Sequence, residues 1–375
     1  MAGIYIHIPF CGYACTYCDF YFTTHLHFKD QFLETLFLEI DKRKNFLEGE
    51  SISTIYFGGG TPSKLTAKEV ESILTKINEN FSVDKNAEIT LECNPDDIDL
   101  QTAKDLRGIG INRISMGIQT FHDKELDLLG RKHSSKAAIE AVENIRAGGF
   151  DNFSLDLIYG IPDSSLTSWK ANLETIIALK PNHISSYCLT IEPGTPLEYQ
   201  VKKKRVNMPL ESVVIEQFET LMTTLNDNGY DHYEISNFAQ PNFESKHNTS
   251  YWKGTHYLGL GPSAHSFDGK NRIINVANTK DYCAHIKTDN GVEIEELTVQ
   301  DRFNEYIMTG LRTKWGIDLK FIEKSFPIQY SKQLNSDLKL PIKKGLVEIS
   351  NETLTLTQEG KLFADKIASD LFSVS

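Results

Sequence analysis

A chain of 375 residues with 40% hydrophobic and 10% aromatic side chains can bury a large core, enough for two domains or one domain with an appendage. Its net charge of −12 argues against broad, nonspecific nucleic-acid binding, which depends on a cationic surface. No stretch has the uninterrupted apolar length of a membrane span, and the start lacks the basic-then-apolar-then-small order of a signal peptide, so a cytoplasmic chain without stable membrane insertion is expected.

From residue 4 to about residue 189, short β-rich runs alternate with segments of helical period. Strands are expected at 4–8, 54–57, 88–92, 113–117, 153–158 and 183–189, with amphipathic helices near 30–47, 66–81, 102–109, 136–147 and 166–179. That alternation is the signature of a parallel sheet wrapped by helices. Six parallel strands are too few to close an eight-stranded barrel, so the expectation is an α/β fold, a partial (βα)6 barrel whose gap is covered by later chain. In such folds the reacting groups collect at the C-terminal ends of the strands.

Directly after the first strand comes Cys11-Gly12-Tyr13-Ala14-Cys15-Thr16-Tyr17-Cys18. In a reducing compartment, three thiols on one short loop read as metal ligands before they read as disulfides. Thiolates suit iron–sulfur clusters or zinc, and a closed site usually takes four ligands. The fourth is missing here: Phe20 stands two beyond Cys18, and Cys93, Cys188 and Cys283 are scattered singly. A zinc site completed by His7 or His25 is one alternative, and buried free cysteines are another, although Gly12, Ala14 and Thr16 show no strand alternation. A [4Fe–4S] cubane held by three cysteines would leave one iron open to a small molecule.

Other unusual residues also follow strand ends. Gly58-Gly59-Gly60-Thr61-Pro62 follows the second strand, and consecutive glycines let backbone approach a ligand closely. A plain tight turn is the alternative, and a nucleotide P-loop is not expected because no Lys-Ser/Thr follows. The third strand ends in Glu92, the fourth in Gln119 with Arg131 beyond it, the fifth carries Asp156, and Tyr187 lies near the end of the sixth. Each alone reads equally well as a surface polar residue. Their shared placement is the argument.

Beyond residue 190 the alternation stops. A turn-rich exit, a basic run Lys202-Lys203-Lys204-Arg205 that reads as a solvated loop, and a helix over 209–228 lead to His247-Asn248-Thr249-Ser250-Tyr251-Trp252 and a Gly-rich loop over 257–266. From about residue 291 the pattern becomes helices near 301–312 and 319–324, another before Gly345, a hairpin with strands 346–349 and 353–356, and a helix from 358. This order suggests a C-terminal winged-helix-like α+β domain. Such a shape often binds DNA, but acidic and basic residues nearly balance here, so a lid or partner surface is the better reading. The expected division is a barrel over 1–235, a barrel-covering segment over 236–290 and the C-terminal domain over 291–375.

The CxxxCxxC spacing just after a first strand resembles the radical S-adenosylmethionine (SAM) superfamily, in which the open iron binds SAM and an electron from the cluster cleaves its sulfonium. Tyr5-Ile6-His7-Ile8-Pro9-Phe10-Cys11, Gly58-Gly59-Gly60-Thr61-Pro62, Ser115-Met116-Gly117-Ile118-Gln119 and Asp156-Leu157-Ile158-Tyr159-Gly160-Ile161-Pro162 together look like the oxygen-independent coproporphyrinogen oxidase family. The resemblance implies that Cys11, Cys15 and Cys18 bind the [4Fe–4S] cluster, that Tyr5, Gly59, Gly60, Thr61 and Glu92 line the SAM site, and that Tyr17 sits beside the cluster. Gln119, Arg131 and Asp156 match positions that bind a second SAM in the true oxidase. Glu92 suits an ammonium or a ribose hydroxyl, Asp156 ribose hydroxyls, and Arg131 the SAM carboxylate.

His247-Asn248-x-x-Tyr251-Trp252 resembles the HNxxYW motif of the haem-chaperone branch. That resemblance implies haem as a third cofactor with His247 as its candidate ligand, apo-haemoproteins as acceptors, and a homodimer as an open option. On chemistry alone, His247 and Asn248 equally hydrogen-bond a loop while Tyr251 and Trp252 cover the barrel mouth. The alternative function is an oxygen-independent coproporphyrinogen III oxidase, an enzyme that decarboxylates propionate side chains. Phe20 stands where the oxidase motif continues to CxxxCxxCxC, and the first strand starts at residue 4 without the oxidase's preceding segment. Both favour the chaperone, as does HNxxYW. Radical chemistry on another substrate is a third option.

Overall fold

The computed structural model describes residues 1–286 and 292–374. Strands β1 (Ala2–Ile8), β2 (Ile52–Gly59), β3 (Val83–Cys93), β4 (Arg113–Gln119), β5 (Phe153–Tyr159) and β6 (His183–Cys188) pair in parallel and in chain order. Return helices Lys29–Arg43, Ala67–Asn80, Leu100–Gly108, Ser135–Ala147 and Leu166–Leu179 connect them. Each of the last four starts on a side-chain cap, from Thr66, Asp99, Ser134 and Ser165 respectively, which satisfies amides that the helix leaves unpaired.

Strand alternation sorts the residues into two faces. Ile4, Ile6 and Ile8 of β1, Ile55 and Phe57 of β2, and Ile114, Met116 and Ile118 of β4 are buried in the main apolar core under the helices. The opposite face carries Tyr5 and His7, Thr54 and Tyr56, Glu88, Thr90 and Glu92, then Arg113 and Ser115. Register continues this polar inner face across the sheet: Thr90 pairs with Arg113, Glu92 with Ser115, Gly117 with Asp156, and Asp156 with Ser185. A polar inner face is costly to bury unless its groups are bonded or meet a ligand, so it marks where a site belongs.

The barrel is open, as expected, but later chain extends the sheet as well as covering it. Strands β7 (Asp231–Glu234) and β8 (Asn237–Ala239) add an antiparallel edge beside β6. At the other edge β9 (Tyr257–Leu260) pairs in parallel with β1, followed by antiparallel β10 (His265–Phe267), β11 (Asn271–Asn275) and β12 (Val292–Glu296), giving twelve strands among the described residues. Gly259 is required where β9 meets β10, because a Cβ there would lie 2.0 Å from the His265 carbonyl oxygen.

Several boundaries differ from the sequence expectation. Strand β3 starts at Val83, the first return helix stops at Arg43, and a short helix Asp123–Leu129, missed in the sequence, precedes Arg131. The C-terminal part has its own core around Phe303, Ile307, Leu334, Leu354 and Ile367. Helix Val299–Leu311 leads into β13 (Ile317–Asp318), helices Leu319–Ser325, Ile328–Asp337 and Lys339–Lys343 follow, and β14 (Val347–Ser350) and β15 (Thr353–Leu356) complete a small sheet with β15 between β13 and β14. This is the winged-helix-like arrangement, except that the last helix, Ala364–Asp370, begins later than residue 358.

Candidate functional site

A cavity of about 430 Å³ opens at the C-terminal ends of the six parallel strands. Of the thirteen residues that the resemblances assign to cofactors, eleven line it, Cys11, Cys15, Cys18, Tyr17, Gly59, Gly60, Thr61, Glu92, Gln119, Arg131 and Asp156, and so does Tyr187. Tyr5 and His247 do not.

The three cysteines lie half-buried on the loop after β1, which is pinned where the Cys11 amide donates to the Thr23 carbonyl and the Thr23 amide to that of Pro9. The Thr61 hydroxyl donates to Cys11 Sγ at 3.4 Å, and an Arg131 guanidinium nitrogen lies 3.6 Å from Cys15 Sγ. Burial pushes the Cys11 thiol up and the Cys18 thiol up to about 11, and the neighbouring sulfurs push the same way, a cost that metal coordination relieves by deprotonating them. Among the described residues, no three His, Cys, Asp or Glu side chains converge as ligands of one ion. A cubane does not require such convergence, because each thiolate bonds its own iron. His7 is ill suited to complete a zinc site, since its Nε2 lies 2.9 Å from the Tyr21 carbonyl and its Nδ1 3.2 Å from the Tyr5 hydroxyl.

The glycine turn forms a close-fitting wall beside this loop. The Gly60 amide donates to the Ile8 carbonyl and the Thr61 amide to that of Phe10, both at 2.8 Å. A Cβ on Gly60 would lie 2.9 Å from the Pro9 carbonyl carbon, and one on Gly59, at φ +108°, would strike the His7 ring at 2.7 Å. The turn is thus a main-chain cradle packed tightly against the loop after β1, with no room for a side chain at either glycine and with the Gly60 and Thr61 amides bonded to that loop.

Glu92 accepts a 2.7 Å bond from Tyr56, and burial raises its pKa to about 7, with Asp156 adding repulsion. Asp156 is also raised by burial and accepts weak bonds from Ser115 and Ser154 at 3.3–3.5 Å. Two carboxyl groups on one inner wall favour a cationic, hydroxyl-rich ligand. Gln119 sits in the left-handed region at φ +72°, at an irregularity in the β4–β5 pairing, a strained placement of the kind found at binding sites.

Arg131 departs from the sequence expectation. One of its nitrogens donates to the Asn94 side chain at 2.6 Å and to the Gly117 carbonyl at 2.7 Å, while the other faces Cys15. The fork is therefore committed to the protein and the cluster loop, and is not free to clasp a carboxylate from two sides. Asn94, which also donates to Thr61, was not singled out in the sequence because nothing local marks it.

His247 lies apart from the cluster cavity. It is 1% exposed, on a helix Lys246–Trp252 that plugs the end of the barrel opposite the cysteine loop, against Thr54 and Gly3 near the starts of β2 and β1. Nδ1 lies 2.8 Å from the Thr54 hydroxyl and Nε2 2.8 Å from the Tyr251 hydroxyl, while Glu88 accepts from the first amides of the helix. Burial, with Arg113 nearby, lowers its pKa to about 3, so the ring is neutral but has no nitrogen to spare. The helix also covers a different end from the mouth expected in the sequence.

Tyr251 and Trp252 instead line a second cavity of about 880 Å³, on the inner face of the β1–β9–β10–β11 edge beneath the C-terminal helices. Tyr5 faces this cavity, and Phe20, 69% exposed, borders both chambers. No local pattern marks this space, since its walls come from residues as distant as Tyr5 and Phe326.

A parallel partial barrel with a three-cysteine loop over its strand ends defines a radical SAM protein, and residues 5–176 match the model of the Radical SAM superfamily, with residues 297–363 matching the HemN C-terminal domain. Such proteins carry a [4Fe–4S] cluster and SAM. The chain is 34% identical to Heme chaperone HemW of Bacillus subtilis over 98% of both chains, and 33% identical to that of Lactococcus lactis over 95% of this chain and 93% of that one. It therefore belongs to the HemW family. The solved coproporphyrinogen III oxidase HemN of Escherichia coli superposes with a TM-score of 0.86 at 26% identity, covering 99% of this chain and 90% of that one.

Proposed function

We propose that this protein is a haem chaperone: it binds haem and a SAM-ligated [4Fe–4S] cluster and delivers haem to apo-haemoproteins. The observation that carries the reading is the likeness, over nearly the whole length of both chains, to proteins named heme chaperones. In this reading Cys11, Cys15 and Cys18 hold three irons and leave the fourth to SAM. Gly59, Gly60 and Thr61 present backbone to SAM, Glu92 takes its ammonium or ribose, and Gln119 and Asp156 line the farther wall. Tyr17 packs beside the cluster. Arg131 neutralises charge at the cysteine loop, and His247 positions Tyr251 without touching iron.

Phe20 in place of a fourth cysteine supports the carrier over the oxidase. Anaerobic reconstitution followed by haem titration and coproporphyrinogen III decarboxylation, run in parallel on one preparation, tests the reading. Stoichiometric haem uptake without decarboxylation is expected. Decarboxylation at an enzymatic rate, or no haem uptake, would overturn it.

A further inference from the structure

Haem makes three demands of a site: flat apolar walls for the macrocycle, cations for the two propionates, and a ligand with a free lone pair for iron. The second cavity has the first two. Its volume of about 880 Å³ lies near the upper end of the roughly 300–1,000 Å³ usual for cofactor sites. Tyr251, Tyr257 and Phe267 face Tyr306 and Phe326 across it, which is a slot with aromatic sides. Arg272 and Arg302 stand on its wall. Arg272 is already paired with Glu295 at 3.2 Å and Glu305 at 2.7 Å, whereas Arg302 has no ion pair among the described residues.

The third demand separates the histidines. His247 has both nitrogens bonded and lines neither cavity, and His7 has both engaged by Tyr5 and Tyr21. His265 lines the second cavity, is exposed, and its ring makes no hydrogen bond among the described residues. Its place is fixed by the fold, because β10 pairs with both β9 and β11 and Gly259 packs directly against the His265 backbone. Partial burial, and after it the Arg272 charge, lowers the pKa of His265, which keeps the imidazole in the neutral form that ligates iron.

We infer that the cavity between the β9–β11 edge and the C-terminal helices is the haem site, with His265 ligating iron and Arg302 receiving a propionate. This rests on the chaperone reading and gives it a location. Because Phe20 borders both chambers, haem held here would share that side chain as a wall with the cluster site.

The test titrates haem and, separately, iron-free protoporphyrin IX into the anaerobically reconstituted full chain. In His265→Ala, haem affinity is expected to fall about tenfold or more with a displaced Soret band, while protoporphyrin affinity and cluster absorption stay at the wild-type level. Arg302→Glu is expected to weaken both ligands about tenfold, since both carry propionates. The assignment is overturned if His265→Ala binds haem with wild-type affinity and spectrum, if it loses both porphyrins equally, or if Arg302→Glu leaves both affinities unchanged. Wild-type protein that takes up no haem would sink the chaperone reading itself, a distinct result.

Discussion

Nε2 of His247 lies 2.8 Å from the Tyr251 hydroxyl, so two residues of the HNxxYW motif bond each other inside the barrel plug. Removing the ring in His247→Ala leaves a cavity and strips Thr54 and Tyr251 of a partner, at a cost of about 2–4 kcal/mol. The variant should melt several degrees lower and take up less haem, because Tyr251 loses its anchor. The haem that still binds should keep the wild-type Soret position. A shifted Soret band in folded His247→Ala would restore His247 as an iron ligand.

Arg131 joins the cluster loop to β4 through Gly117 and to β3's exit through Asn94. Lysine keeps the charge but cannot reach all three partners from one planar group. Arg131→Lys should lose about 2 kcal/mol of apo-protein stability in denaturant unfolding and retain less iron and sulfide after desalting. Wild-type retention would mean that the contact to Cys15 contributes nothing to cluster binding.

The pKa of Glu92, raised by burial from 4.5 to about 7, has consequences of known sign. A raised carboxyl contributes stability that is complete below the unfolded value and is lost as pH rises through about 7. Glu92→Gln should therefore stabilise the apo-protein at pH 8 by up to about 3 kcal/mol and leave it unchanged near pH 4. SAM binding should show the opposite trend: wild-type affinity rises between about pH 6 and 8 as the carboxylate forms, and the glutamine variant gives a flat, weaker profile. A pH-independent wild-type affinity would remove Glu92 from contact with the SAM cation.

Glycine substitutions separate cradle from scaffold. At Gly60 a methyl group meets the backbone of Ile8, Pro9 and Phe10 within 3.0 Å, and that backbone leads directly into the cysteine loop. Gly60→Ala should reduce SAM affinity at least tenfold in an equilibrium binding assay. Gly108, at the end of a return helix with open space around it, should accept alanine without loss of affinity. Equal behaviour of the two variants would contradict the cradle.

The barrel was largely legible because its inner and outer faces alternate within short windows. Ile4, Ile6 and Ile8 around Tyr5 and His7 announce both a strand and a polar interior. The cysteine loop and glycine turn were legible for the same local reason. What was hidden depends on long-range contact. Arg131 meets Cys15 across 116 positions, and His247 meets Thr54 across 193. No spacing rule links such pairs, so Arg131 read as a free fork and His247 as a free imidazole. His265 was visible only as part of a Gly-rich loop, and it acquires a chemical setting once β9, β10 and the C-terminal helices enclose a shared space.

A carrier is distinguished from an enzyme most directly by handover. Haem-loaded, cluster-reconstituted protein should be mixed with a colourless apo-haemoprotein and with an inert haem scavenger, and the Soret change followed in each. Transfer to the apo-haemoprotein is expected to accelerate with acceptor concentration and to outrun loss to the scavenger, as exchange through a complex requires. Equal, concentration-independent rates in both, accompanied by decarboxylation of added coproporphyrinogen III, would contradict the account.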